Sequence, residues 1–351
     1  MLKKKKFMRG AVLWKTGEPL SIENHIEIPD LKDGQVLVKM SYSGVCRSQL
    51  MEVRGLRGED KYLPHLSGHE GCGEVIEVSN SVTKVKAGDS VILGWIKSSG
   101  KDVKGAIYEC NGVKVNSGPV TTFSNYSIVS ENRVVQLPQG IPKDIAVLFG
   151  CALPTGAGLV LNEISPQKGS SIAIIGLGGI GLSALMATKV LKCDPVIAID
   201  ISEEKLEMAV LFGASHTINS SNEDVIQRVF EITNGLGVDF SIEAAGQAKT
   251  IETAFKIIKD KGECVFASHP AKGEMIELDP HELIKGKTIK GSWGGGTKPD
   301  SDIPKLAKIY IEGQLPLEQL ISKVYSLDEI NQALEDLENY KVFRPIISFA
   351  N

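Results

Sequence analysis

Apolar positions set the first division of the chain. Ser171-Ile-Ala-Ile-Ile175 is a run of small and β-branched apolar residues, too short for a helix, and reads as a buried parallel strand. Gly176-Leu-Gly-Gly-Ile-Gly181 follows, and Leu182–Leu191 continues as a helix. A second apolar run, Pro195-Val-Ile-Ala-Ile-Asp200, ends in an acid. Further strands are predicted at Asp239–Glu243 and Glu263–Ala267, with helices over Glu203–Phe212 and Ile251–Ile258. This alternation predicts an α/β fold, a doubly wound parallel sheet with right-handed crossovers. The first 150 residues read differently. Gly10–Trp14, Gln35–Met40, Gly73–Val78, Ser90–Leu93, Tyr126–Val129 and Arg133–Leu137 are short strand-like runs, broken by turns such as Lys32-Asp-Gly34 and Ala87-Gly-Asp89. They predict a β-rich domain, a distorted barrel. The tail carries helical patterns near Asp302–Ile311 and Leu327–Leu337 and a strand Pro345–Phe349, which the pattern assigns to neither domain.

At 351 residues the chain has room for about two domains and a sizeable core. A net charge of −4 leaves no nucleic-acid or membrane-surface footprint. Lys3-Lys-Lys-Lys6 is the exception and reads as a solvated terminus. No apolar run reaches the roughly 18 residues that span a bilayer, and the start lacks the apolar core of a secretory signal. The six cysteines form no C-x-x-C pair. The expectation is a cytoplasmic protein with reduced thiols.

Gly176, Gly178 and Gly181 fall at G-x-G-x-x-G spacing between a strand and a helix, with Gly179 and Ile180 completing the turn. The three glycines allow a tight turn, close backbone approach to a diphosphate, and close packing of helix on strand. The diphosphate then sits on the helix N-terminus, where free N–H groups favour an anion. Asp200, 24 residues after Gly176, stands near the offset of a carboxylate that binds the adenosine ribose. A 2′-phosphate there meets like charge, and Ile201-Ser-Glu-Glu204 offers no arginine, so NAD is expected over NADP.

Cys46, His69 and Cys151 are candidate metal ligands. Two thiolates and an imidazole are a set that a catalytic zinc uses while keeping one position open. Spacing alone defines no local zinc knuckle, since 22 and 81 residues intervene. Each taken alone reads as a packing cysteine or a loop histidine. Cys72, Cys110, Cys193 and Cys264 read as packing residues, and His25, His65, His216, His269 and His281 as structural or surface ones.

Gly44-Val-Cys-Arg-Ser48, Gly68-His-Glu-Gly-Cys-Gly-Glu-Val75, Lys86-Ala-Gly-Asp-Ser-Val91, Gly150-Cys-Ala-Leu-Pro-Thr-Gly156 and the glycine-rich turn with Asp200 occur in this order. Taken together the chain resembles the zinc-dependent medium-chain alcohol dehydrogenases over nearly its whole length. That resemblance implies a GroES-like catalytic domain over 1–152 and 292–351 and a Rossmann NAD-binding domain over 153–291. It implies one catalytic zinc on Cys46, His69 and Cys151, with Glu70 as a carboxylate able to approach the metal. It implies Ser48 as the hydroxyl that takes the substrate proton. Arg47, Thr155, Lys205 and Arg344 match cofactor-binding positions, the two arginines on the diphosphate and Lys205 on the ribose. The implied substrate is an alcohol, polyol or sugar-derived hydroxyl and its aldehyde or ketone, in a pocket whose walls include Leu93, Trp95, Phe123 and Trp293. A homodimer, or a pair of dimers, is implied through an apolar sheet edge at Glu263–Ala267 and Thr288–Gly291.

The sequence departs from that family's pattern at three places. Met51 stands where many members have a proton-passing histidine, and a thioether cannot titrate. Gln49 stands where an aspartate often orients the zinc-bound histidine. Gly94–Phe123, the segment that holds a second, structural zinc in relatives, has Cys110 alone and no histidine, so no structural zinc is expected. Two other readings remain: a zinc-free reductase of the same superfamily, and a non-catalytic NAD-binding protein.

Overall fold

A computed structural model describes residues 5–349. Of the lysine run, Lys3 and Lys4 lie outside the described residues, while Lys5 and Lys6 make exposed ion pairs with Glu27 and Glu77. The chain divides into two compact units. One runs to Cys151 and takes back Lys298–Ile311 and the tail from Leu317; the other is Ala152–Thr297 with Glu312–Pro316.

In the second unit the apolar runs become a six-stranded parallel sheet. Its order is His216–Asn219, Val196–Asp200, Ile172–Ile175, Val238–Glu243, Ile258–Phe266, Thr288–Gly291. Numbered along the chain this is 3-2-1-4-5-6, the doubly wound arrangement whose order reverses beside the first strand. Ile172–Ile175 and Val196–Asp200 are buried along their whole length, which is why they carry no polar alternation. The outer strand Thr288–Gly291 exposes Thr288, Lys290 and Gly291, with Lys290 paired to Glu263. That edge is therefore polar where an apolar one was expected.

The glycine-rich turn shows three different demands. Gly176 adopts a φ of +90°, open to glycine at little cost. A Cβ on Gly181 would overlap the Gly176 carbonyl, so this glycine sets how closely the helix Gly179–Val190 packs on its strand. Gly178 has a φ of −81°, and a Cβ there meets no protein atom. Gly181→Ala is expected to cost roughly 1–3 kcal/mol in denaturant unfolding, the range of an overpacked core site. Gly178→Ala is expected to leave stability nearly unchanged and to weaken dinucleotide binding, because only a ligand contests that space. Equal stability loss in both variants would contradict this division of roles.

The first unit is β-rich as expected. Lys6–Leu13, Ser21–Ile28, Ile107–Cys110, Val113–Asn116 and His65–Leu66 close a small barrel. A second sheet runs Val134–Gln136, Ser90–Leu93, Gly71–Val78, Gln35–Gly44, Arg344–Ser348, Ile321–Ser326, with Tyr126–Ser130 also on Gln35–Gly44. The tail strand thus joins this unit, antiparallel to Tyr42–Gly44. Tail residues Tyr325, Leu327, Ile330, Leu334 and Ile347 share one core with Leu13, Val45, Leu50 and Val53. Asn331 fixes the register by bonding both the N–H and the carbonyl of Leu20.

The segment without structural-zinc cysteines is held by a carboxylate. Glu131 is 2% exposed and accepts backbone N–H groups of Thr83, Lys84 and Lys101 at 2.7, 3.1 and 2.8 Å. Burial alone raises its pKa, but these bonds outweigh it and hold the carboxyl below its ordinary value. Ser130 adds bonds to Val103 N–H and the Lys101 carbonyl. Cys110 is buried and free, its thiol pushed up by burial.

Candidate functional site

Three separate elements of the first unit deliver the ligand candidates. Cys46 is the N-cap of the helix Arg47–Val53, His69 and Glu70 precede the strand Gly71–Val78, and Cys151 follows the turn Val147–Gly150. One donor atom from each of Cys46, His69, Glu70 and Cys151 lies within 4.8 Å of all the others. His69 Nε2 is 3.1 Å from Cys151 Sγ. Gly44 and Gly150 make the cluster possible, because a Cβ on either would press into the Glu70 side chain.

The electrostatics are those of a buried anionic cluster. The Cys151 thiol donates to the Cys46 sulfur, which, with His69 and Arg344 nearby, draws Cys46 well below an ordinary thiol. Cys151 is held well above it, by that same hydrogen bond and by burial. Burial lowers the His69 pKa, yet the Cys46 thiolate outweighs it and leaves His69 raised. Burial also raises Glu70 against the pull of Arg344. A divalent ion fits this donor set. Both thiols ionise on binding it, and the charges of two thiolates, Glu70, Arg344 and the ion then cancel.

Arg344 meets a carboxylate of the ligand cluster. Expected on a cofactor diphosphate, it is 4% exposed and its Nη2 contacts both Glu70 oxygens. A buried guanidinium takes the nearest buried carboxylate, since neither charge is tolerable alone. Its Nε remains buried with no hydrogen-bond partner among the described residues. Arg47, by contrast, is exposed, with its guanidinium 5.6 Å from the Tyr340 ring centre. Leu93 and Phe123 are fully buried in two core clusters of the first unit, and Trp293 is 71% exposed.

Ser48 lies in the first turn after Cys46, its hydroxyl oxygen buried with no hydrogen-bond partner among the described residues. Such an oxygen is costly unless a ligand group satisfies it. Gln49 bridges two neighbours. Its Oε1 accepts the Cys46 N–H at 3.1 Å and its amide nitrogen touches His69 Nδ1. An amide fixes the ring but makes it a weaker ligand than a carboxylate does. Gln49→Asp is expected to tighten zinc binding about tenfold, measured by competition with a chromogenic chelator; weaker binding would show that the amide is the better support here.

In the second unit, Asp200 is 8% exposed and ties the glycine-rich turn to its strand. It accepts N–H groups of Leu177, Ile201 and Ser202 at 2.7, 2.9 and 3.1 Å, with Lys205 Nζ 3.7 Å away. That fills three of about four acceptor positions on a carboxylate. Among the described residues no side chain caps the helix Gly179–Val190, and no acid stands in its first turn. Thr155 Oγ1 is a further buried atom with no hydrogen-bond partner among the described residues. Glu243, which the sequence reading did not single out, closes the loop after its strand through Ala245 N–H, Gly246 N–H and Thr250.

Comparison with known proteins decides the family. The Alcohol dehydrogenase GroES-like domain matches residues 32–139 and the Zinc-binding dehydrogenase domain matches 179–312. Alcohol dehydrogenase 6 of Peromyscus maniculatus is 31% identical, the alignment covering 97% of each chain. This chain belongs to the medium-chain, zinc-type alcohol dehydrogenase family. Its solved relatives include benzyl alcohol dehydrogenase from Acinetobacter calcoaceticus, 30% identical with a TM-score of 0.90 over 98% of this chain and 100% of that one. An alcohol dehydrogenase zinc-binding domain protein from Burkholderia ambifaria gives 29% and 0.91 over 99% and 100%. Like them, this family member combines a GroES-like unit with a Rossmann sheet. Among the described residues no single helix is long and apolar enough to cross a membrane.

Proposed function

We propose that this dehydrogenase oxidises an alcohol, polyol or sugar-derived hydroxyl to the aldehyde or ketone, with NAD+ as hydride acceptor and one thiolate-bound zinc. The observation that carries the reading is the convergence of Cys46, His69 and Cys151 beside the orphaned Ser48 hydroxyl. Those three residues would hold the zinc, with Glu70 as the carboxylate available for ligand exchange. Zinc, when bound, supplies Lewis acidity that lowers the pKa of the substrate hydroxyl. Ser48 then takes the hydroxyl proton as it passes on its own. Met51 cannot carry it further, so water or another group takes it to solvent. Asp200 and the open N-terminus of Gly179–Val190 bind the dinucleotide through ribose and diphosphate.

Turnover of a panel of alcohols, polyols and aldehydes, with bound metal measured on the same sample, tests the reading. NAD+-linked oxidation of at least one alcohol by zinc-containing protein is the expected result. Nicotinamide-dependent reduction by metal-free protein would identify the zinc-free reductase instead, and binding without turnover the non-catalytic protein.

A further inference from the structure

A second group of ligand atoms lies in the first unit, outside the Cys46–His69–Cys151 cluster. Glu52 stands on the helix Arg47–Val53, Asp60 in the loop after it, and His65 at the start of the barrel strand His65–Leu66. One donor atom from each lies within 4.8 Å of the other two. All three line a cavity of about 820 Å³, together with Arg57, Ser67 and Asn116.

The hydrogen bonding of His65 points to a cation. The ring is 6% exposed. Its Nδ1 lies 2.9 Å from the Leu66 carbonyl, which only accepts, so Nδ1 carries a proton. In the neutral ring Nε2 is then a bare lone pair. It faces Asp60 Oδ2 at 2.8 Å, another acceptor. Two acceptors approach this closely only when they share a positive species, a proton between them or a metal ion beside them. The carboxylates are pre-positioned by their other contacts: Asp60 Oδ1 accepts the Tyr62 N–H at 2.9 Å and Glu52 Oε2 accepts Ser67 Oγ at 3.1 Å. Among the described residues no lysine or arginine forms an ion pair with either carboxylate. A histidine that donates Nδ1–H to a backbone carbonyl and turns Nε2 toward carboxylates has the supporting geometry of a metal ligand.

We propose that Glu52, Asp60 and His65 form a second cation site, which takes a divalent transition ion of the oxygen- and imidazole-preferring kind, such as Mn2+. One imidazole, two carboxylates and water from the cavity suit that class, whereas the thiolate cluster selects zinc. The bound ion links the helix that carries Ser48 and Gln49 to the barrel strand, so its role is to brace that helix.

The test is titration of the zinc-loaded full chain with MnCl2, free Mn2+ being read by electron paramagnetic resonance. One Mn2+ per chain beyond the zinc is expected, with a raised thermal midpoint. Glu52→Gln and Asp60→Asn should each weaken it at least about tenfold and leave the zinc content unchanged. The rival is a protonated ring in place of the metal. No binding up to millimolar Mn2+, binding that neither substitution alters, or nitrogen NMR showing both His65 nitrogens protonated in the presence of Mn2+ would each overturn the site.

Discussion

Cys46→Ser is expected to lower kcat/KM for alcohol oxidation by at least about a thousandfold, about 4 kcal/mol of transition-state stabilisation. The reason is charge as much as ligand identity. Cys46 is the sulfur most readily ionised, drawn down by Cys151, His69 and Arg344. A serine hydroxyl stays neutral there, and a hydroxyl replaces a thiolate poorly as a zinc ligand. The buried set then has one anion too few for zinc and Arg344 together, so the ion is lost. The zinc content of the variant and its thermal midpoint, measured together, separate metal loss from unfolding. Near-native turnover by zinc-free Cys46→Ser protein would refute the metal-dependent reading.

NAD+ is expected to exceed NADP+ in kcat/KM by at least about a hundredfold, about 2.7 kcal/mol. Asp200 has three of its acceptor positions filled by backbone N–H groups and is fixed in place as well as charged. A 2′-phosphate adds close to two negative charges beside it. Lys205 is itself buried against Asp200, which already balances its charge. Asp200→Ala removes the repulsion and releases Lys205, and the gap should narrow to about tenfold or less. The variant also loses the Leu177 bond, at about 1–3 kcal/mol of stability, so unfolding is measured beside kinetics. Comparable efficiency with both cofactors in the unaltered protein would contradict the assignment.

The Rossmann sheet was legible in the sequence because its central strands are buried on both faces and its glycines sit at fixed spacing. The strand His216–Asn219 was not, since a short outer strand with two polar ends carries no such signal. The same holds for Ile107–Cys110 and Val113–Asn116, whose alternating exposed residues resemble a polar loop. The ligand residues could be picked by type and family resemblance, but their convergence is a tertiary fact spread over three elements. Glu131 could not be picked at all, because its partners are backbone groups up to 48 residues away. The contact of Arg344 with Glu70 was hidden for a related reason: a sequence does not say which buried carboxylate a guanidinium meets. His65 read as structural until its two nitrogens were seen to face two acceptors.

The central claim is that Cys46, His69 and Cys151 hold a zinc on which alcohol oxidation depends. Its most direct test is NADH formation from an alcohol substrate before chelation, after chelator dialysis, and after stepwise return of zinc. Activity should vanish with the metal and return linearly, reaching its plateau at one zinc per chain. Undiminished turnover by the chelated protein, or a plateau only at two zinc ions per chain, would contradict the account.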